Sequence, residues 1–308
     1  MPATPTNTDP VTVEQILTEG QLLFETSDLY FGHGTDNAWD EAVFLVFYAL
    51  DLPPDADRSV LNQQLTDIQC KAIHQLFEQR IRDRIPAAYL TGRAWFCGLP
   101  FAVDKRVIIP RSPIAELIMS GFYPWCSTEP QRLLDLCTGS GCIGIACAYA
   151  FENAEVVLSD ICADALQVAQ QNIQQHDLAA RVSAVQSDLF ENLADQKFDL
   201  IVSNPPYVDA DDYASMPDEY FHEPELALAS ISGRVNLATL RQHQTENPPL
   251  GTTDDPQDGD LATAEFHRVP EHERHRDRPG DENADAEGDE DRIEARDDAE
   301  ESIDLRRR

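Results

Sequence analysis

From residue 131 onward short apolar runs alternate with helical ones, and nothing else in the chain narrows the fold as far. Leu133–Cys137, Val156–Ser159, Val182–Gln186 and Phe198–Ser203 have strand character, with helices expected near 142–151, 163–175 and 189–194. Strands linked through helices pair in parallel with right-handed crossovers, so the predicted fold class is α/β with a doubly wound sheet. Upstream the periodicity is helical. Val13 to Phe24 carries a broad apolar stripe, and Asn37 opens a second helix with an almost wholly apolar interior, Ala42 to Leu50, that Pro53-Pro54 ends. Thr66 to Ile85 repeats apolar residues at helical spacing, with Arg80, Arg82 and Arg84 near its C-terminal end. Trp95-Phe96-Cys97 and Phe101-Ala102-Val103 flank a Gly98-Leu99-Pro100 turn and predict a β-hairpin. Val107 to Pro110 follows as a short extended piece.

Charge excludes one large class of partner. The 308 residues hold 56 acidic and 23 basic side chains, a net of −33. Nonspecific nucleic-acid affinity comes from Lys and Arg neutralising phosphates, so direct nucleic-acid binding is not expected. A basic protein partner would be steered in. The seven cysteines fall between residues 70 and 162 with neither a CxxC pair nor a His cluster, which favours reduced thiols over a metal site. No apolar run approaches the ~20 residues of a membrane helix. Residues 1–10 contain neither a basic segment nor an apolar one, so no secretory signal is expected and the location predicted is cytoplasmic.

The chemistry-bearing residues stand at the strand ends. The first strand runs into Asp135-Leu-Cys-Thr138-Gly139-Ser-Gly141-Cys-Ile-Gly144, a glycine fingerprint between a strand and a helix. Alone it fits a dinucleotide, or tight strand–helix packing with no ligand. Asp160 ends the second strand, where a carboxylate can accept both hydroxyls of a ribose or, more plainly, cap the next helix. Asp188 and Leu189 follow the third strand, placed to meet an adenine or, for Asp188, to cap. The fourth strand ends in Asn204-Pro205-Pro206-Tyr207. Its prolines stiffen the loop and turn carbonyls outward, so Asn204 and the Pro205 carbonyl can each accept one N–H of a planar NH2 group beside the Tyr207 ring.

Asp135-x-x-Thr138-Gly139-x-Gly141 resembles the first motif of class I S-adenosylmethionine (SAM) methyltransferases, and Asn204 to Tyr207 resembles the signature of those acting on planar amide or exocyclic amino nitrogens. Tyr89 to Phe101, Val107 to Ile118 and Glu223-Pro-Glu-Leu-Ala-Leu228 extend the likeness to the protein-glutamine N5-methyltransferases. Arg111-Ser112-Pro113-Ile114 is similar to the branch modifying a large-subunit ribosomal protein, where the release-factor branch carries R-P-E-T-E. The resemblance implies SAM as cofactor, held by Asp135, Thr138, Gly139, Gly141, Asp160, Asp188, Leu189 and Asn204, and no metal. It implies Asn204, Pro205 and Tyr207 as catalytic residues. Substrate contacts would come from Asn204, Pro205, Pro206, Tyr207 and Arg111, with a ribosomal protein as partner and no membrane. It also implies a helical substrate-recognition domain at 1–92, a hairpin linker at 93–110 and the methyltransferase domain at 111–230. Methyltransferases of nucleic-acid bases share the Asn-Pro-Pro-Tyr chemistry; the net charge and the lack of a basic target-recognition domain oppose that alternative.

After about residue 230 the likeness stops. Residues 231–308 hold 33 charged residues and one aromatic, Phe266, where the family's remaining strands are expected. Such a composition cannot bury enough apolar surface to offset chain entropy, and an acidic disordered tail is expected at 231–308. The switch is what an out-of-frame reading of a GC-rich gene near codon 230 produces; a genuine acidic tail is the alternative. Either way the fourth strand lacks its second neighbour, which predicts low stability and little activity, an inactive truncated product at the limit.

Overall fold

The computed structural model describes residues 10–126 and 128–229. The expectations for the tail, both the out-of-frame segment and its disorder, lie outside the described residues. Three helices build the first part: α1 (Val13–Glu25), α2 (Ala38–Ala49) and α3 (Asp67–Asp83). Each begins at a side chain that accepts a backbone N–H: Thr12 for α1, Asn37 for α2 and Thr66 for α3. Thr12 and Thr66 complete reciprocal capping boxes with Gln15 and Gln69, satisfying two orphan donors each. The shared core collects Ile16, Leu17, Phe24, Leu45, Ile73 and Phe77, with Phe24 and Phe77 edge to face.

A short helix, α4 (Ala87–Thr91), leads into the hairpin of β1 (Arg93–Phe96) and β2 (Leu99–Ala102). Helix α5 (Ile114–Met119) then precedes the sheet. Strands β3 (Arg132–Leu136), β4 (Glu155–Asp160), β5 (Val182–Gln186) and β6 (Leu200–Ser203) pair in parallel in the order β5-β4-β3-β6. Helices α6 (Cys142–Ala150) and α7 (Ala163–Gln175) cross between them. Central β3 is covered on both faces: Leu133, Leu134 and Leu136 are all fully buried, each contributing about 1.5–3 kcal/mol. Among the described residues β6 pairs only with β3, and of its apolar residues only Val202 is buried.

One expected element does not form. Residues 189–194 make turns, not a helix. Leu189 has a left-handed backbone (φ 49°), and so short a segment yields too few helical bonds to offset nucleation. Phe190 and Leu193 pack instead against Leu134, Leu136 and Val157 on one face of the sheet.

Beyond β6 the chain leaves at Val208 and returns at Ala229, where the two pair and the Val208 N–H donates to the Leu228 carbonyl at 3.0 Å. Between them lie α8 (Ala210–Ala214), a 3-10 turn at Asp218–His222 and α9 (Glu225–Leu228).

Candidate active site

The glycine loop is shaped by what stands behind it. Gly141 opens α6 at φ 83°, and a Cβ there would lie 3.0 Å from Leu158. At Gly144 a Cβ would fall 2.2 Å from the Leu158 side chain and 2.9 Å from the Asp135 Cβ, so only glycine lets α6 press onto the sheet. Asp135 sits beneath this contact, fully buried, and its Oδ2 accepts the Thr138 hydroxyl and the Gly144 N–H. Burial pushes its pKa up to about 7 against the pull of those bonds. Asn172, buried on α7, donates to the Ser140 and Ala102 carbonyls and so locks the loop to the hairpin.

In front of the loop opens a cleft of about 400 Å³ across the C-terminal ends of the four strands. Gly139, Asp160, Asp188, Leu189, Asn204 and Pro206 all line it. Ligands in open α/β sheets bind in this place, beyond the strand ends where the strand order reverses. Asp160 accepts the Gly139 N–H through Oδ2 and the Cys162 N–H through Oδ1, each at 2.9 Å. It therefore braces the loop, while helix α7 begins at Cys162 with no side-chain cap. Burial raises the Asp160 pKa, and the backbone bonds oppose the shift. Ser159 presents a buried hydroxyl to the same cleft with no partner among the described residues.

Not every expected residue touches the cleft. Asp135, Thr138 and Gly141 lie behind it and set the loop's shape. Tyr207 is 79% exposed at the rim beyond Pro206. Arg111 is turned away toward a carboxylate: its two terminal nitrogens bond Glu223, whose Oε1 also takes the Ile109 N–H at 2.9 Å. Sequence reasoning noted Arg80 only as a basic residue near the end of its helix and gave it no role. Arg80 is 1% exposed, bonded to Glu41 and Glu219 and to the Tyr30 carbonyl. It continues the Ile73–Phe77 stripe at helical spacing, a charge on an apolar face that could have marked it.

The cleft suits SAM: a glycine loop offering close backbone approach, a carboxylate at the second strand end for a ribose, an unpaired serine hydroxyl and an apolar wall at Leu189. Strand order, glycine loop and cleft define a class I methyltransferase. The methyltransferase small domain model matches residues 117–245. The curated "Ribosomal protein uL3 glutamine methyltransferase" of Francisella tularensis is 51% identical over 231 residues, covering 73% of this chain and 74% of that protein. Its counterpart from Bordetella pertussis is 48% identical over 208 residues, 67% of this chain and 70% of that one. An RNA methyltransferase from Salinibacter ruber, solved with S-adenosylhomocysteine, is 25% identical at a TM-score of 0.26, over 31% of this chain and 60% of that one; the likeness is too slight to add to the assignment. The chain belongs to the ribosomal protein uL3 glutamine methyltransferases and is a SAM-dependent enzyme.

Proposed function

We propose that the chain methylates the side-chain amide nitrogen of a glutamine in ribosomal protein uL3, in the cytoplasm, with Asn204, Pro205, Pro206 and Tyr207 receiving the amide. The observation that carries this is the seat of Asn204 and Pro206 on the same cleft as Gly139, Asp160 and Asp188. An acceptor loop and a cofactor pocket thus share one wall. When bound, SAM supplies an electrophilic methyl on a positively charged sulfur.

An amide nitrogen is a poor nucleophile because its lone pair is delocalised into the carbonyl. Asn204 Oδ1 and the Pro205 carbonyl accept its two N–H bonds, favour a pyramidal nitrogen and stabilise the positive charge that grows on it, which is discharged when one of the two protons passes to water and leaves the neutral N-methyl amide. Those bonds strengthen as the reaction proceeds, so they bind the transition state selectively. The stiff proline pair fixes the nitrogen's direction of approach, which lowers the entropic part of the barrier. Tyr207 offers a face on which the amide plane rests. Gly139, Asp160, Asp188 and Leu189 hold the cofactor, while Asp135, Thr138 and Gly141 keep the loop in shape. Arg111 makes no substrate contact in this reading, because its guanidinium is held by Glu223.

Residues 1–92 act in this reading as the substrate-recognition domain, 93–110 as the linker and 111–230 as the catalytic domain. The net charge of −33 favours a basic protein and disfavours nucleic acid. Among the described residues no helix is long and apolar enough to cross a membrane. The test is transfer of labelled methyl from SAM by purified protein to ribosomal protein, rRNA and DNA offered in parallel. Label in protein alone is expected; label in either nucleic acid would overturn the reading.

A further inference from the structure

Two buried carboxylates on the returning segment, Glu219 and Glu223, are both fully enclosed and both bound by arginines, yet neither lines the cleft. Glu223 faces the linker. It takes the Arg111 guanidinium on both oxygens and the Ile109 N–H, with Arg111 lying 5.3 Å over the Tyr220 ring. Residues on both chain segments that meet at this junction line the cofactor cleft: Arg106, Val107 and Ile108 from one, Pro224, Leu226 and Ala227 from the other.

Glu219 faces the helical part instead. Its Oε1 accepts Arg80 Nη1 at 3.2 Å and the Tyr30 N–H at 3.1 Å, and its Oε2 accepts Arg84 at 3.3 Å. Arg80 is held in turn by Glu41 of α2 and by the Tyr30 carbonyl, and Arg84 by the Asp28 carbonyl. His33 stands beside Glu223, buried, 3.7 Å from its carboxylate and with its ring tilted against that of Tyr220 at 4.5 Å. Burial and the neighbouring Arg111 and Arg80 push its pKa down to about 3, so it adds no fourth cation to Arg80, Arg84 and Arg111.

Ion pairs this deep are poor sources of net stability, because the desolvation of both partners offsets their attraction. A forked guanidinium, however, fixes direction as well as distance. We propose that Glu219 and Glu223 are positioning residues with separate tasks. Glu223 holds together the two segments that line the cofactor cleft, and Glu219 sets the helical domain against the loop that follows Tyr207. The second task rests on the function proposed above, since it matters only if the helical domain presents a protein substrate to that loop.

Glu223→Gln and Glu219→Gln in the full chain keep shape and remove the charge. SAM affinity by calorimetry and KM and kcat for ribosomal protein are then measured separately, with thermal melting as the control. Glu223→Gln is expected to weaken SAM binding tenfold or more. Glu219→Gln is expected to leave SAM affinity within twofold and to raise KM for the protein substrate tenfold or more, with kcat changed less than threefold. If either variant fails to melt cooperatively, Arg111→Lys and Arg84→Lys decide by the same readouts, since lysine keeps the charge but loses the fork. Unchanged SAM affinity in the Glu223 variant, or one shared profile for both, would overturn the proposal. A wild type that methylates no ribosomal protein would overturn the function and the task of Glu219; the SAM arm would still judge Glu223.

Discussion

Asp160→Ala probes the cofactor half of the site in its simplest form. A carboxylate has about four lone-pair directions. The Gly139 and Cys162 N–H groups take one on each oxygen, which leaves one on each for a pair of ribose hydroxyls. Hydrogen bonds to a charged group are worth roughly 1.5–3 kcal/mol, so losing the ribose contacts should raise the SAM Kd by about 10- to 150-fold. The released Gly139 and Cys162 amides lie at the open cleft, where water can replace the carboxylate, so the melting temperature should move by only a few degrees. Burial raises the Asp160 pKa from its ordinary value. The ionised form is the better acceptor, so wild-type affinity should fall as pH is lowered through that raised pKa. Asp160→Asn should lack that dependence. Calorimetric titration of SAM near pH 7.5 and again in mild acid reads both effects. An alanine variant binding within twofold of wild type would reduce Asp160 to a brace for the loop.

Three further outcomes follow from the same geometry. In a form with an intact C-terminal half, Asn204→Ala should lower kcat by ~10² or more, as when a preorganised hydrogen-bonding group is deleted, while SAM affinity stays within a few-fold; a variant keeping over half its activity would remove Asn204 from the mechanism. Asp135 has a pKa of about 7 in the fold against roughly 3.9 unfolded, so the folded state retains a proton that the unfolded chain releases between them. Stability contributed by this group is therefore present in acid and lost as pH rises through about 7; Asp135→Asn should flatten that slope in urea midpoints, and equal slopes would contradict the assignment. Gly144→Ala would thrust a Cβ to 2.2 Å from Leu158 and should cost about 1–3 kcal/mol despite alanine's better helix propensity, read from the same midpoints; a variant as stable as the parent would show that α6 does not press on β4 there.

The parts of this molecule legible in its sequence are those governed by local rules. The capping residues Asn37 and Thr66 and the runs that became β3 to β6 carry their periodicity in neighbouring residues. Helix α7 and strand β5 match their expected bounds for the same reason. The segment 189–194 misled because Phe190 and Leu193 have helical spacing, yet they reach the sheet through turns after a left-handed Leu189. Within the site, Gly139, Asp160, Asp188, Leu189 and Asn204 meet at one cleft because parallel strands bring their C-terminal ends to one edge. Arg111 was not legible in this way. Its partner Glu223 stands 112 residues away, and only the fold shows that the guanidinium is occupied by a carboxylate. Arg80 and Glu219, 139 residues apart, are hidden by the same distance.

The central claim is methyl transfer to a glutamine side chain by this chain's acceptor loop. Purified protein, both as the 308-residue chain and with the reading frame restored near codon 230, is incubated with SAM and unmodified uL3, and the product is digested and sequenced by tandem mass spectrometry. The account predicts a single added methyl on the side-chain amide of one glutamine, formed faster by the restored form than by the 308-residue chain and absent when Asn204→Ala replaces the parent. Methyl found on a carboxylate, a lysine or an arginine, or glutamine methylation undiminished in the Asn204 variant, would contradict it.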